Sequence, residues 1–302
     1  MLNENEGHAL SGLKDILIAT DLSGRSDKAV ARGLALAKAY GANVRIVHVV
    51  DDDQPKSLVD DEAVRAADLI EETVQPIKVR LALAAMPAID IWRGLPSVAI
   101  KTLTDEIKPD LLVMGAHRRQ LLRDVFVGTT VERVIRTCER PVLMVNLDAD
   151  TPYRMALAAT DLSQHSVDAL KFAAKVSFLG CDQLTVVHAF QPLADGLMRY
   201  ADVEKSKIDE YVESVADEAH RAVLSMLAAE GLAALKPEVL VEEGDAIDVI
   251  KALIAKLSPS LAVLGTRGHT GLKRVLIGSV ANAVLRDAEC DLLAFPRPKE
   301  SS

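Results

Sequence analysis

The fold of this chain is decided by two stretches of ten residues, KDILIATDLS at residues 14–23 and RMALAATDLS at residues 154–163. Each is an apolar run that ends in Ala-Thr-Asp-Leu-Ser, so Asp21 corresponds to Asp161 at an offset of 140 residues. Further pairs keep this offset or an offset of 150: His48 with His188, Pro87 with Pro237, Gly94 with Gly244, Gly115 with Gly265, and Gly128 with Gly278. A repeat this regular predicts two copies of one domain, residues 1–148 and 149–302, with ten extra residues in the second copy.

Short apolar runs bounded by Asp, Gly or Pro alternate with helical patterns in both copies. Such runs are typical of strands buried on both faces of a sheet. The predicted strands are 15–19, 44–50, 88–92, 111–114 and 142–145 in copy one, and 156–159, 184–189, 238–241, 261–264 and 292–295 in copy two. Long helices are expected near 61–85 and 203–234. The fold class is therefore α/β, with two tandem, doubly wound, Rossmann-like parallel sheets of five strands each.

Composition and charge exclude several classes of function. The net charge of −9 is spread along the chain, which argues against a nucleic-acid-binding surface, because that function needs clustered Lys and Arg. No apolar run is long enough to span a bilayer, and the first residues do not resemble a signal peptide. The cysteines are far apart, as expected of buried thiols in a reducing compartment: Cys138, Cys181 and Cys290. We expect a cytoplasmic protein without a metal site.

Copy two carries a glycine-rich element after its fourth strand, with the spacing G-x2-G-x9-G-S over residues 265–279. Ligands of doubly wound sheets bind beyond the carboxyl ends of the strands, which is where this element lies. Gly265 and Gly268 allow positive φ angles and close approach of an anion to the backbone. Gly278 precedes a predicted helix, and Ser279 either caps that helix or donates its hydroxyl to a phosphate. The alternative is a structural turn followed by an ordinary serine cap.

These features together resemble the universal stress proteins: a strand ending in ATD, the G-x2-G-x9-G-S element, and an apolar closing strand after a cysteine. The resemblance covers nearly the whole chain, twice, and the glycine element is that family's ATP-binding motif. It implies a stress-response or signalling protein that binds ATP, with or without Mg2+. The residues that it places around the nucleotide are Thr160, Asp161, Ala189, Gly265, Arg267, Gly268, Gly278, Ser279 and Val280.

Copy one departs from the motif, because Arg118 replaces the second glycine. A side chain at that position is expected to obstruct the approach of phosphate to the backbone, although Arg119 and Arg123 still supply positive charge. Copy one is therefore either an empty structural copy, a site for another anion, or a degenerate nucleotide site. The residues of such a degenerate site are Asp21, Val49, Gly115, Arg118, Gly128 and Thr129.

No catalytic residues are predicted. The chain has no Walker A element, no dinucleotide fingerprint and no nucleophile elbow, and no base stands out that would position water. Any ATP hydrolysis should be slow. One alternative is a protein that binds a non-nucleotide ligand or acts as a scaffold, and a weaker one is an ATP-using transferase or hydrolase. His48 and His188 are interpreted as packed, hydrogen-bonded residues rather than catalysts.

The closing strands 142–145 and 292–295 are apolar and are predicted to be sheet edges. Exposed apolar edges tend to pair with another strand. The universal stress protein family commonly dimerises through this strand. We therefore expect the two copies to pair through their last strands as an internal pseudo-dimer, with homodimerisation of the chain left open.

Overall fold

A computed structural model describes residues 12–53, 55–116, 129–194, 198, 200–201, 203–266 and 277–296. The chain divides into two compact units. The first extends to Pro152 and also includes Lys175–Gly180, and the second begins at Tyr153.

Copy one is a five-stranded parallel sheet with the strand order β3-β2-β1-β4-β5. Its elements are β1 (Asp15–Thr20), α1 (Gly24–Tyr40), β2 (Asn43–Val50), α2 (Lys56–Leu81), β3 (Ala88–Arg93), α3 (Pro96–Ile107), β4 (Leu111–Gly115), α4 (Thr130–Thr137) and β5 (Val142–Val145). The order reverses between β1 and β4, so the carboxyl ends of these strands form the crevice in which ligands of such folds bind.

Copy two repeats this order as β8-β7-β6-β9-β10, again with all strands parallel. Its elements are β6 (Met155–Ala159), α5 (Gln164–Lys175), β7 (Gln183–Phe190), α6 (Lys205–Ala229), β8 (Glu238–Glu243), α7 (Ala246–Leu257), β9 (Leu261–Gly265), α8 (Ser279–Asp287) and β10 (Asp291–Phe295). The predicted fold class, two tandem doubly wound parallel sheets, is confirmed.

The central strands supply the most deeply buried residues. Ile16, Leu17 and Ile18 of β1 are at most 2% exposed, and Leu111 and Leu112 of the neighbouring β4 are fully buried. Helices cover the two faces of a doubly wound sheet, so its central strands must be apolar at every position rather than at alternate ones. This explains why continuous apolar runs located the strands to within two residues.

The bounds of the long helices were predicted less well. The helix expected at 61–85 begins at Lys56, directly after Pro55, and ends at Leu81, where Ala82 takes a left-handed conformation with φ of 49°. The helix expected at 203–234 ends at Ala229, and Gly231 follows with a φ of 72°. Both helices were therefore predicted to extend too far along the chain, and for the second helix the stop signal given by Gly231 was overlooked.

No helix within the described ranges combines the length and the apolarity that crossing a bilayer would require.

The segment that follows β5 is held to copy one by a buried arginine. Arg32 of α1 is 4% exposed, and its guanidinium donates hydrogen bonds to the carbonyl oxygens of Asp148 at 2.8 Å, Thr151 at 2.9 Å and Ala149 at 3.3 Å. Lys28, one turn earlier, forms a more exposed ion pair with Asp148 at 2.9 Å. A guanidinium fixed by several carbonyls orders the backbone far more than a surface ion pair does.

Replacing Arg32 by Ala should release this segment. Hydrogen bonds from a charged donor contribute about 1.5–3 kcal/mol each, so their loss should increase the rate of proteolytic cleavage within residues 146–152 about tenfold or more. Cleavage sites and rates are measured by mass spectrometry. Lys38→Ala, which removes an exposed hydrogen bond from α1 to the Ala82 carbonyl oxygen, is the control and should change the rate less than twofold, and equal effects of the two substitutions would contradict the role given to Arg32.

Candidate functional site

The turn after the first strand of copy two is built by side chains. Thr160 Oγ1 lies 2.9 Å from Ser166 Oγ in α5 and accepts a hydrogen bond from the backbone N–H of Leu162 at 3.0 Å. Leu162 has a φ of 63°, an unfavourable conformation for a leucine, which persists only where the surroundings enforce it. The Thr–Ser pair therefore fixes the path of the chain between β6 and α5.

Asp161 is oriented by this turn. One carboxylate oxygen, Oδ1, accepts hydrogen bonds from the Ser163 hydroxyl at 2.5 Å and from the Ser163 N–H at 3.0 Å. A carboxylate held in this way is preorganised to accept further hydrogen bonds from hydroxyl or amine groups.

The two histidines have the packing role that was expected of them. His188 Nδ1 lies 2.9 Å from the carbonyl oxygen of Thr160, and His48 Nδ1 lies 2.9 Å from that of Thr20. A carbonyl oxygen only accepts, so Nδ1 carries the proton in both residues. Each imidazole thus ties the second strand of its copy to the turn after the first.

Gly265 is required for close packing. It does not have a positive φ, so the expected positive-φ turn at this residue is wrong. A Cβ atom at Gly265 would lie 3.3 Å from the carbonyl oxygen of His165, and one at Gly115 would lie 3.0 Å from that of Arg25. The glycine at the end of the fourth strand lets that strand pass beside the first turn of α5 or α1.

The last helix of copy two begins without a side-chain cap. Gly278 is the N-cap residue, with φ of −57° and ψ of 150°, and its N–H donates to the Thr266 carbonyl oxygen at 2.7 Å. Ser279 is the first helical residue rather than the N-cap residue, so of its two expected roles only donation of its hydroxyl to a phosphate remains as a prediction. No acidic residue lies in the first turn, so among the described residues no carboxylate offsets the partial positive charge of this helix start, which lies at the carboxyl edge of the sheet.

These features surround a cavity of about 240 Å³ at the carboxyl ends of β6, β7 and β9. Of the nine residues predicted for the copy-two site, the structure brings together seven around this cavity: Thr160, Asp161, Ala189, Gly265, Gly278, Ser279 and Val280. The other two, Arg267 and Gly268, lie outside the described residues.

Sequence reasoning missed six residues that line this cavity, among them Ser166, Ala246 and Ile250. Each has a counterpart at the offset of the repeat, and Ser26, Pro96 and Ile100 line the cavity of copy one. Following the repeat beyond the named motifs would have identified them.

Copy one has a cavity of about 460 Å³ in the corresponding place. Four residues predicted for its degenerate site line this cavity: Asp21, Val49, Gly115 and Thr129. Arg118 and Gly128 lie outside the described residues. The turn after β1 repeats that of copy two, since Thr20 Oγ1 lies 2.9 Å from Ser26 Oγ and Leu22 has a φ of 60°.

Comparison with known proteins agrees with this duplicated architecture. The model of the universal stress protein family matches residues 12–146 and again residues 152–296. The chain belongs to the universal stress protein family.

Relatives with one and with two domains match this universal stress protein. Universal stress protein A homolog 1 of Coxiella burnetii is 33% identical over 47% of this chain and 95% of its own length. Universal stress protein E of Salmonella typhi is 26% identical over 70% of this chain and 68% of its own length. A crystal structure of a universal stress protein from Archaeoglobus fulgidus covers 94% of this chain and 96% of its own with a TM-score of 0.68, and at 20% identity this likeness concerns the fold alone.

The last helix of copy one begins differently from that of copy two. Thr129 is its N-cap residue, and it forms a capping box with Glu132. Thr129 Oγ1 accepts from the Glu132 N–H at 3.3 Å, and the Glu132 carboxylate accepts from the Thr129 N–H at 3.2 Å. The protein's own side chains therefore occupy this helix start, whereas Gly278 at the corresponding position of copy two supplies no side chain.

The acidic cluster after β2, of which Asp51 lines the copy-one cavity, and the thiols show no reactive arrangement among the described residues. The carboxylates of Asp51, Asp52 and Asp53 come within 4.8 Å of one another after β2 but are exposed, and exposed carboxylates commonly group in this way without an ion. Burial raises the pKa of Cys181 and of Cys290 to about 12, so both thiols are protonated at neutral pH.

The two strand-end glycines offer a graded test of the packing. We expect Gly115→Ala to destabilise the protein by about 2 kcal/mol, because backbone atoms of α1 cannot easily move away from the new methyl group. Gly265→Ala should cost less than about 1 kcal/mol, because its nearest backbone atoms lie 0.3 Å or more farther away. Urea unfolding measures both values, and the reverse order would show that the packing at these strands is misjudged.

The titration of Asp21 tests the hydrogen bonding of the turn. Partial burial alone would raise the pKa of Asp21, but hydrogen bonds from Ser23 and Ser26 and the charge of Arg25 outweigh it, so the pKa lies below 3.8. Ionised Asp21 therefore stabilises the fold above its ordinary pKa, and this contribution disappears as the pH falls through the folded-state pKa.

Ser23→Ala should raise that pKa, as followed by NMR titration of the Asp21 carboxyl carbon. Ser214→Ala on the exposed face of α6 is the control. A titration midpoint at or above 3.8 in the unmodified protein would be inconsistent with this arrangement.

Proposed function

We propose that this universal stress protein binds ATP in copy two. The observation that carries the proposal is the open start of α8, which faces the same cavity as Asp161. Free N–H groups at a helix N-terminus attract phosphate, and an oriented carboxylate accepts hydrogen bonds from ribose hydroxyls or an adenine amine.

The walls of the cavity suit the remaining part of a nucleotide. Ala189, Ile250 and Leu264 present apolar surface between the carboxylate and the helix start. A flat heterocycle buried against such surface is stabilised by the hydrophobic effect, while a few polar groups fix its orientation. Arg267 and Gly268, predicted to contact ribose and phosphates, remain part of the proposal.

ATP is expected to be held rather than rapidly hydrolysed. Among the described residues around the cavity, Asp161 is the one titratable group, and its Oδ1 atom already accepts from Ser163. A base that activates water has to lie within hydrogen-bond reach of the attacking oxygen at the phosphate end. We infer a cytoplasmic protein whose nucleotide occupancy serves a stress-response or signalling role, with Mg2+ as an optional companion of the phosphates.

The domain division at 148 and 149 and the pairing of the two copies through their last strands also remain proposals. Within its own unit, β5 pairs with β4, and β10 pairs with β9. Both last strands are almost wholly apolar, so a second strand beside each would keep these strands from pairing with another molecule.

A second candidate function concerns copy one, which we propose to be structural or to bind a ligand other than ATP. The capping box of Thr129 and Glu132 favours this reading, since it uses donors that a phosphate would need.

Isothermal titration with ATP, with and without Mg2+, tests the nucleotide proposal. The unmodified protein should bind ATP saturably. Gly278→Trp should abolish binding by filling the cavity, and Asp161→Asn should weaken it about tenfold or more through the loss of a charged acceptor.

Lys171→Ala is the control, because it removes only an exposed ion pair with Glu230 and should leave binding unchanged. Absence of binding by the unmodified protein, or full binding by the Gly278→Trp variant, would refute the assignment to copy two.

A further inference from the structure

The segment that follows α5, residues 176–180, has a backbone conformation that residues with side chains rarely adopt. Ser177, Phe178 and Leu179 have positive φ angles of 47°, 47° and 54°, and Gly180 follows with a φ of 94°. In this left-handed region the Cβ atom crowds the following carbonyl oxygen, so each of the three residues is in an unfavourable conformation. Such a run persists only where contacts with the rest of the protein outweigh the strain.

Contacts within the first compact unit stabilise this segment. The chain before and after it belongs to the second unit, but Lys175–Gly180 belong to the first. Val176, Phe178 and Leu179 are at most 5% exposed. The Tyr40 hydroxyl of α1 donates a hydrogen bond to the Val176 carbonyl oxygen at 2.5 Å. Burial of apolar side chains and a buried hydrogen bond together hold the left-handed conformation.

The backbone before β1 is packed just as closely against this region. Gly12 has a φ of 119°, and a Cβ atom there would lie 2.5 Å from the carbonyl oxygen of Lys175. A residue with a side chain would force the two backbones apart at this point. The segment is therefore docked by α1 on one side and by the start of copy one on the other.

The repeat shows a second conformation for the segment. In copy one, α1 continues as a helix to Tyr40 and ends at Gly41, whose φ is 67°. At the repeat offset of 140 residues, a helix of equal length in copy two would reach Gly180, but α5 ends at Lys175. The intervening sequence, Val-Ser-Phe-Leu at 176–179, contains no proline, and glycine is the usual residue after a helix end. Extending α5 by about one turn would relieve the three positive φ angles and give up the buried contacts.

The helix α5 connects this segment to the candidate nucleotide site. Its first turn carries Ser166, which lines the copy-two cavity and bonds to Thr160 in the turn that orients Asp161. Its last residue, Lys175, leads directly into the left-handed run. A helix of 12 residues moves largely as one body, so a change at its end displaces the turn at its beginning.

We propose that residues 176–180 form a conformational switch that regulates the copy-two site. In the docked state the segment is left-handed and held by Tyr40, and the turn of Asp161 is ordered for ligand binding. In the released state α5 extends towards Gly180, and the displacement of its first turn lowers the affinity of the cavity for its ligand. The regulatory role rests on the ATP binding proposed for copy two, whereas the two states of the segment do not.

Amide hydrogen exchange of the full chain, followed by NMR, tests the two states without a ligand. Tyr40→Phe removes the hydroxyl that holds the segment and should increase the exchange rate of the Leu179 N–H, which is hydrogen-bonded within the segment, about tenfold. The N–H of Ser163, which donates to Asp161, should also exchange faster. That of Ser23, in the corresponding turn of copy one, should not change.

A glycine at position 177 distinguishes a switch from a simple loss of stability. Ser177 is exposed, and glycine adopts positive φ without strain but disfavours a helix, so Ser177→Gly favours the docked state. Added to the Tyr40→Phe chain, it should return both raised exchange rates to within about twofold of those of the unmodified protein. Ser177→Ala is the matched control and should restore neither rate, because alanine favours the helix and remains strained at positive φ.

Isothermal titration with ATP tests the regulatory role. The apparent affinity scales with the fraction of molecules in the docked state, so Tyr40→Phe should weaken ATP binding at least about twofold. Ser177→Gly should restore the affinity of that chain, and Ser177→Ala should not. ATP binding that Tyr40→Phe leaves unchanged would overturn the regulatory role.

Three exchange results would overturn the switch itself: an unchanged rate at Leu179 after Tyr40→Phe, equal increases at Ser163 and Ser23, or equal effects of Ser177→Gly and Ser177→Ala. If the unmodified chain does not bind ATP, the function proposed for copy two fails, while the exchange rates still decide whether the segment has one state or two.

Discussion

A hydrogen bond between two side-chain hydroxyls holds the decisive turn of each copy, Thr20 with Ser26 and Thr160 with Ser166. It joins the end of the central strand to the first turn of the following helix and keeps an intervening leucine at positive φ. The aspartate before that leucine thereby faces the crevice at the carboxyl edge of the sheet. The histidine of the neighbouring strand supports the turn through the carbonyl of the same threonine. A fixed first turn is the condition for any ligand site at this edge.

The two copies keep that framework and differ in how their last helix begins. In copy one the start of α4 is satisfied within the protein, by Thr129 and Glu132. In copy two Gly278 has no side chain to offer, and the first turn of α8 contains no acidic residue. Capping raises helix stability by about 1 kcal/mol, and leaving a cap out favours binding of an anion. The same position thus contributes to stability in one copy, and in the function proposed for copy two it contributes to ligand binding instead.

The fold could be predicted from the sequence because its strands are buried on both faces. Such strands are continuous apolar runs, for example residues 111–114, and these runs are easily recognised. It also named seven residues that meet around one cavity, because the repeat identified equivalent strand ends. It failed where a role depends on neighbours distant in the chain. The contact of Gly265 with the backbone of His165 spans 100 residues, and no local pattern predicts it. The capping box of Glu132 was predictable in principle, since a Thr three residues before a Glu is a recognised helix start.

Repeats of this kind can also diverge at positions outside their glycine motif. The glycine motif marks the positions at which the backbone cannot carry a side chain. When only these positions are compared, the two copies differ mainly at Arg118. The side chain that sets the charge at the start of the last helix lies three residues beyond the motif, at Glu132 in copy one and Asn282 in copy two. The glycine motif does not specify the residue at this position. Contacts such as the Thr–Ser hydrogen bond are present in both copies. They therefore constrain the fold but do not determine which ligand each copy binds. The electrostatics of a helix start can therefore change by one substitution while the architecture around it stays the same.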